Sequence, residues 1–131
     1  MSKSPVHYGV AANRNGGSSI KTISYAQTNI GPVRSNNEDN YYCNGSYKQN
    51  AQSPVEELVS APEGDGLLFG VFDGMGGEAR GEDAALICAQ TLSAFQSRDM
   101  QYEAPAYFAQ ANAAVCEISR SGGADEQRSF F

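Results

Sequence analysis

The pattern of apolar and polar residues predicts three β-strands in the first part of the chain. Residues 20–28 alternate between the two types, which is typical of a half-buried strand. Residues 40–43 hold two tyrosines and end at the turn pair Asn44-Gly45, which favours a strand followed by a tight turn. Residues 67–72 are almost continuously apolar, so we expect a strand covered on both faces.

The remaining pattern predicts a long connection and two helices. Residues 46–66 read as a polar connection, with a short turn of helix at 55–59. Apolar residues at helical spacing predict one helix over 78–96 and another over 105–119. Pro105 suits the first position of the second helix. The expected apolar stripes are Ala84, Cys88, Leu92 and Phe95 in the first helix, and Phe108, Ala111, Val115 and Ile118 in the second.

These elements predict an α+β fold. The 131 residues suit one small domain, which we place at residues 19–131, after a flexible polar segment at 1–18. No internal repeat and no apolar run of membrane-spanning length is present in the sequence.

Composition narrows the classes of function. The formal net charge of −6 argues against nucleic acid and anionic membranes as partners, because both need a basic surface. The three cysteines have no CxxC spacing, and the single histidine, His7, lies near the N-terminus, so zinc, thiol and histidine mechanisms are disfavoured. The start of the chain does not resemble a signal peptide, and we expect a cytoplasmic protein.

Two short segments carry candidate chemistry. The first, residues 73–77, reads Asp-Gly-Met-Gly-Gly and places Asp73 at the end of an apolar strand, before glycines that permit close backbone approach. The second, residues 34–39, supplies Arg34, Glu38 and Asp39. Taken singly, the first could be a helix cap and the second a turn rich in Asn and Asp. Taken together, they provide hard oxygen ligands and a guanidinium that fits phosphate.

Residues 28–39 and 68–77 resemble the first two signature blocks of the metal-dependent protein phosphatases, the PP2C-like serine/threonine phosphatases. With Met75, the second block resembles that of bacterial members of the family. The resemblance covers about residues 20–120. It implies an αββα sandwich of two stacked antiparallel sheets flanked by helix pairs, with metal ions at one end.

The resemblance also implies roles for individual residues. Asp73 would bridge two Mn²⁺ or Mg²⁺ ions, Glu38 and the Gly74 carbonyl would complete part of the metal shell, and Asp39 would hold metal-bound water. Arg34 would bind the phosphate of a phosphoserine or phosphothreonine protein. Partners would be phosphoprotein substrates and, by the same resemblance, a Ser/Thr kinase that acts on them.

This sequence departs from the family pattern in several places. Met75 stands where many relatives have a histidine, and Asn29 where bacterial relatives often have Asp. A thioether donates no proton, so Met75 cannot serve as a general acid. The family site also uses later aspartates, which neither Asp99 nor Asp125 matches. We therefore expect an N-terminal half of the phosphatase domain that is weakly active or inactive alone.

Two alternatives stay open on the sequence. The chain could be a non-catalytic module of the same fold that binds phosphate or metal. An unrelated phosphate-binding loop is disfavoured, because the sequence has neither GxxxxGK[ST] nor GxGxxG.

Overall fold

The computed structural model describes residues 22–60, 67–74, 80–95 and 99–121. Over these ranges the chain forms two small antiparallel sheets and two helices, which confirms the α+β class. The predicted flexible segment, His7, Met75 and Asp125 lie outside the described residues. The elements are β1 (Ser24–Asn29), β2 (Asn40–Cys43), β3 (Ser46–Tyr47), β4 (Val55–Ser60), β5 (Phe69–Phe72), α1 (Gly81–Ala94) and α2 (Met100–Ser121).

Strand β2 is the centre of a three-stranded sheet in the order β3-β2-β5. The predicted strand at 40–43 is confirmed, and so is the turn after it. Asn44 and Gly45 both have positive φ, 42° and 100°, and connect β2 to β3 as a two-residue hairpin. On its other side β2 pairs antiparallel with β5, and Asn40 is opposite Phe72.

Burial differs between these neighbouring strands. All four residues of β2 are buried. Tyr42 packs in the core with the helices, whereas Tyr41 donates to Glu56 of β4 at 3.2 Å and the Cys43 sulfur lies 3.1 Å from the Ser24 hydroxyl. Strand β5 instead alternates, with Val71 65% exposed. The prediction that the 67–72 strand is covered on both faces is therefore wrong, and β2 is the strand with that property.

The second sheet pairs β1 with β4, from Ser24 opposite Ser60 to Asn29 opposite Val55. The predicted strand at 20–28 is thus found, within the described residues, at Ser24–Asn29. The expected turn of helix at 55–59 is wrong, because Val55–Ser60 is extended and alternates in burial as β1 does. The pairing with β1 supplies the backbone hydrogen bonds that the isolated sequence could not reveal.

Helix α1 covers the three-stranded sheet and packs against α2. Ala84, Cys88 and Leu92 of its predicted stripe are buried, and Phe95 is partly buried against the core. At the start of α1, Arg80 donates to the Ile118 carbonyl of α2 at 2.9 Å. Since only a short connection joins the other end of α1 to α2, the two helices run antiparallel.

Helix α2 differs from its prediction in two ways. It begins at Met100, where the Asp99 side chain accepts from the Gln101 N–H at 3.2 Å, so Pro105 lies inside the helix. Its buried stripe contains Tyr107 in place of Phe108, which is 53% exposed. Tyr107 lies in the core, and its hydroxyl is satisfied there by donating to the Cys88 carbonyl at 3.0 Å. Neither helix combines the length and apolar character needed to cross a bilayer, over the part of the chain described.

Candidate metal and phosphate site

The two segments with candidate chemistry meet because of the β2–β5 register. Asp39 directly precedes β2, and Asp73 directly follows β5. Because the strands are antiparallel and Asn40 is opposite Phe72, the two aspartates are the next residues along the same end of the sheet. The structure therefore brings the two acids together, as the sequence predicted.

A pocket of about 150 Å³ lies at this end of the sheet. It is lined by every site residue predicted from the sequence, namely Arg34, Glu38, Asp39, Asp73 and Gly74. Arg34 and Asp73 are exposed, Glu38 is partly exposed and Gly74 is buried. Asn29 also lines the pocket, together with Asn36 and Asn37. A larger groove between β5 and the helices, about 360 Å³, is lined mainly by apolar side chains and offers little polar chemistry.

Asp39 and Asp73 interact directly. Their carboxyl groups are close enough to affect each other's charge state, and the backbone N–H of Gly74 lies near the Asp39 carboxyl group. Asp39 is exposed as a residue, but partial burial of its carboxyl group raises its pKa, and the negative charge of Asp73 raises the pKa further. The nearby backbone N–H of Gly74 and the positive charge of Lys48 oppose this rise in the pKa. Two carboxyl groups placed side by side in this way repel each other when charged, and a bound cation would offset that repulsion.

A glycine is needed at position 74 for the end of β5 to come this close to segment 34–39. A Cβ at position 74 would overlap the Glu38 carbonyl oxygen and would lie 2.7 Å from the Gly81 carbonyl oxygen. The end of β5 therefore packs directly on the backbone of segment 34–39 and on Gly81, the first residue of α1. We expected the glycines to admit a ligand, and at Gly74 the space is filled by protein backbone.

Asn37 holds the backbone of segment 34–39 and is 3% exposed. Its side-chain oxygen accepts from the Thr28 hydroxyl at 3.0 Å and from the Asp39 N–H at 3.2 Å. Its amide group donates to the Pro54 carbonyl at 3.2 Å. Sequence reasoning treated this asparagine as a turn residue. The structure makes it the residue that connects β1, the acidic segment and the start of β4.

Lys48 was missed by the sequence analysis. Its side chain is 0% exposed, and its ammonium group donates to the Asn37 carbonyl at 3.0 Å. Burial lowers the pKa of Lys48, whereas the charges of Asp39, Glu56 and Glu82 act to raise it. A lysine after a predicted turn is normally solvated, so the sequence gives no signal for this burial.

Metal binding itself stays a prediction. No group of three or more His, Cys, Asp or Glu side chains with the arrangement of a metal site occurs among residues 22–60, 67–74, 80–95 and 99–121. The close carboxyl pair is Asp39 and Asp73. Its oxygen atoms are of the kind that Mn²⁺ and Mg²⁺ prefer, so the donor chemistry fits these ions.

No protein-family model, curated protein or solved structure matches the chain. The assignment of function therefore depends on the resemblance of the two segments and on the geometry of the pocket.

Proposed function

We propose that this chain carries the acidic site and the phosphate-binding arginine of a PP2C-like protein serine/threonine phosphatase, within an αββα sandwich. The observation that carries the proposal is the juxtaposition of Asp39 and Asp73 in one pocket with Arg34 and Glu38. Segments separated by more than thirty residues in the sequence supply these groups. A pair of turns or helix caps would not require that convergence.

Each residue has a role in the proposed site. Asp73, Asp39 and Glu38 would hold Mn²⁺ or Mg²⁺ through carboxylate oxygens, with the Gly74 carbonyl beside them. Arg34 would bind two phosphate oxygens through its planar guanidinium. When bound, the cations would offset the charge of the phosphate and activate water for its hydrolysis. The substrate class is a phosphoserine or phosphothreonine protein, the product of a Ser/Thr kinase.

Manganese binding tests the proposal most directly. The free Mn²⁺ signal in electron paramagnetic resonance is titrated with the unsubstituted chain, with Asp73→Asn and with Glu103→Gln as a control. Glu103 is exposed on α2, outside the pocket, so its loss removes equal charge without touching the site. We expect Asp73→Asn to weaken Mn²⁺ binding at least tenfold and Glu103→Gln to leave it unchanged. Equal Mn²⁺ affinity for all three proteins would overturn the proposal.

Hydrolysis of a phosphoserine peptide separates the enzyme from the non-catalytic alternative. With Mn²⁺ present, we expect slow hydrolysis that is lost in Asp73→Asn and reduced in Arg34→Gln. Site-dependent Mn²⁺ binding without any hydrolysis would favour a phosphate- or metal-binding module of the same fold.

A further inference from the structure

Lys48 is a buried cation directly behind the candidate site. It follows β3, and its backbone is fixed by Asn40, whose side chain accepts from the Lys48 N–H and donates to the Lys48 carbonyl, both at 2.9 Å. Its ammonium group donates to the Asn37 carbonyl at 3.0 Å and approaches the Ala51 carbonyl at 3.4 Å. Both ends of this residue are therefore held by specific polar contacts.

Burial of a lysine is unfavourable unless its charge is compensated. The hydrogen-bond acceptors of Lys48 are neutral carbonyl groups, and its compensating charges come from Asp39, Glu56 and Glu82 nearby. A hydrophobic residue of similar length would avoid the cost of desolvation. The ammonium group therefore has a role that a hydrophobic side chain could not have, namely to hold the backbone carbonyl that it contacts.

We infer that Lys48 is a positioning residue, which fixes the peptide ahead of Glu38 and Asp39 by binding the Asn37 carbonyl. The Asn37 side chain holds the other side of the same segment by accepting from the Asp39 N–H. Lys48 and Asn37 together set the direction in which the chain enters the pocket. The effect of Lys48 on metal binding rests on the proposed function. Its effect on the local order of the backbone does not.

Amide exchange in Lys48→Met tests the local role. Met has similar length and no charge, and Arg120→Met, at an exposed position of α2, is the matched control. We expect the Asp39 amide, followed by NMR, to exchange at least tenfold faster in Lys48→Met, with the amides of α1 unchanged. Unchanged exchange at Asp39, or an equal increase throughout α1, would overturn the inference.

The unsubstituted chain provides a second measurement, which does not depend on the folding of a variant. We expect the ammonium protons of Lys48 to exchange slowly enough for detection by NMR, because the group is buried and hydrogen-bonded. Exchange as fast as that of a surface lysine would overturn the inference.

Mn²⁺ affinity tests the functional consequence. We expect Lys48→Met to bind Mn²⁺ about tenfold more weakly, as for other residues that orient metal ligands. Removal of a nearby positive charge acts in the opposite direction, so tighter Mn²⁺ binding would reject positioning in favour of a purely electrostatic role. If Asp73→Asn also fails to change Mn²⁺ affinity, the proposed function fails, whereas the exchange measurements still decide the role of Lys48.

Discussion

Strands β2 and β5 are neighbours in one sheet, and each delivers one acid to the pocket, yet they are held differently. β2 is buried along its length, and polar contacts from Asn37 and Lys48 hold the segment before it. β5 lies at an edge of the described sheet, and close backbone packing at Gly74 holds its end. The same pocket therefore depends on a hydrogen-bond network on one side and on the absence of a side chain on the other.

Truncation of one side chain on each strand should give the largest difference in the loss of unfolding free energy. Tyr42→Ala removes a buried ring from the core that β2 shares with the helices, and we expect a loss of about 3–5 kcal/mol of unfolding free energy. Val71→Ala on β5 should cost less than about 0.5 kcal/mol, because Val71 is mostly exposed. Urea denaturation measures both. Similar losses in the two variants would contradict the contrast in burial.

Substitution of glycine tests the end of β5. We expect Gly74→Ala to cost about 3 kcal/mol, because the new Cβ would meet the backbone of Glu38 and Gly81. Gly70→Ala is the control on the same strand, where the Cβ would lie 3.1 Å from the Phe72 ring, a side chain that can shift. We expect it to cost about 1 kcal/mol. Thermal unfolding measures which of the two variants is less stable. A lower stability of Gly70→Ala than of Gly74→Ala would show that the backbone at Gly74 adjusts freely.

Removal of an amide tests the polar network before β2. We expect Asn37→Ala to cost about 2 kcal/mol, because it removes the acceptor of the Asp39 N–H, the nearer acceptor of the Thr28 hydroxyl and the donor to the Pro54 carbonyl. Asn36→Ala is the neighbouring control, since Asn36 is only partly buried and donates to Glu82. Equal unfolding free energies for the two variants would mean that the buried amide contributes no more than the accessible one.

The smallest expected effect on stability concerns Cys88 of α1, the helix that packs on both strands, and it depends on pH. Burial raises the pKa of the Cys88 thiol from 9.0 to about 11, so the unfolded chain loses its proton first as the pH rises. The associated stability is complete below pH 9 and is lost as the pH approaches 11. We expect the decline in unfolding free energy by pH 10 to be smaller by about 1 kcal/mol in Cys88→Ala, because Tyr41 and Tyr107, whose pKa values burial also raises, contribute to the decline in every variant. Cys116→Ala, at a partly buried position of α2, is the control, and an equal decline in Cys88→Ala would refute the assignment.

The sequence was informative where local chemistry and fold agree. Asp39 and Asp73 were predicted to meet, and they do, because both lie at strand ends that one register brings together. The strand at 40–43 and its turn were also predicted, since Asn44-Gly45 satisfies the positive φ angles of a two-residue hairpin.

Tertiary contacts decided what the sequence missed. Residues 55–59 became a strand because β1 offers a pairing edge, which no local pattern reveals. Tyr107 takes the place of Phe108 in the buried stripe, and its hydroxyl donates to the Cys88 carbonyl, a tertiary contact that local spacing does not reveal. The burial of Lys48 was not predicted for a similar reason, because it depends on contacts with Asn40 at the start of β2 and with Asn37 in the segment before it.

The pairing of Asn40 with Phe72 links the pocket to the interior of the protein. A slip of one residue between β2 and β5 would move Asp73 by about 3.3 Å and would exchange the two faces of β5. Phe72 would then turn toward solvent, and Val71 would turn toward the helices. A chain with this register shift therefore loses both the apolar packing of β5 and the pairing of Asp39 with Asp73. The same strand pairing that completes the core also assembles the pocket.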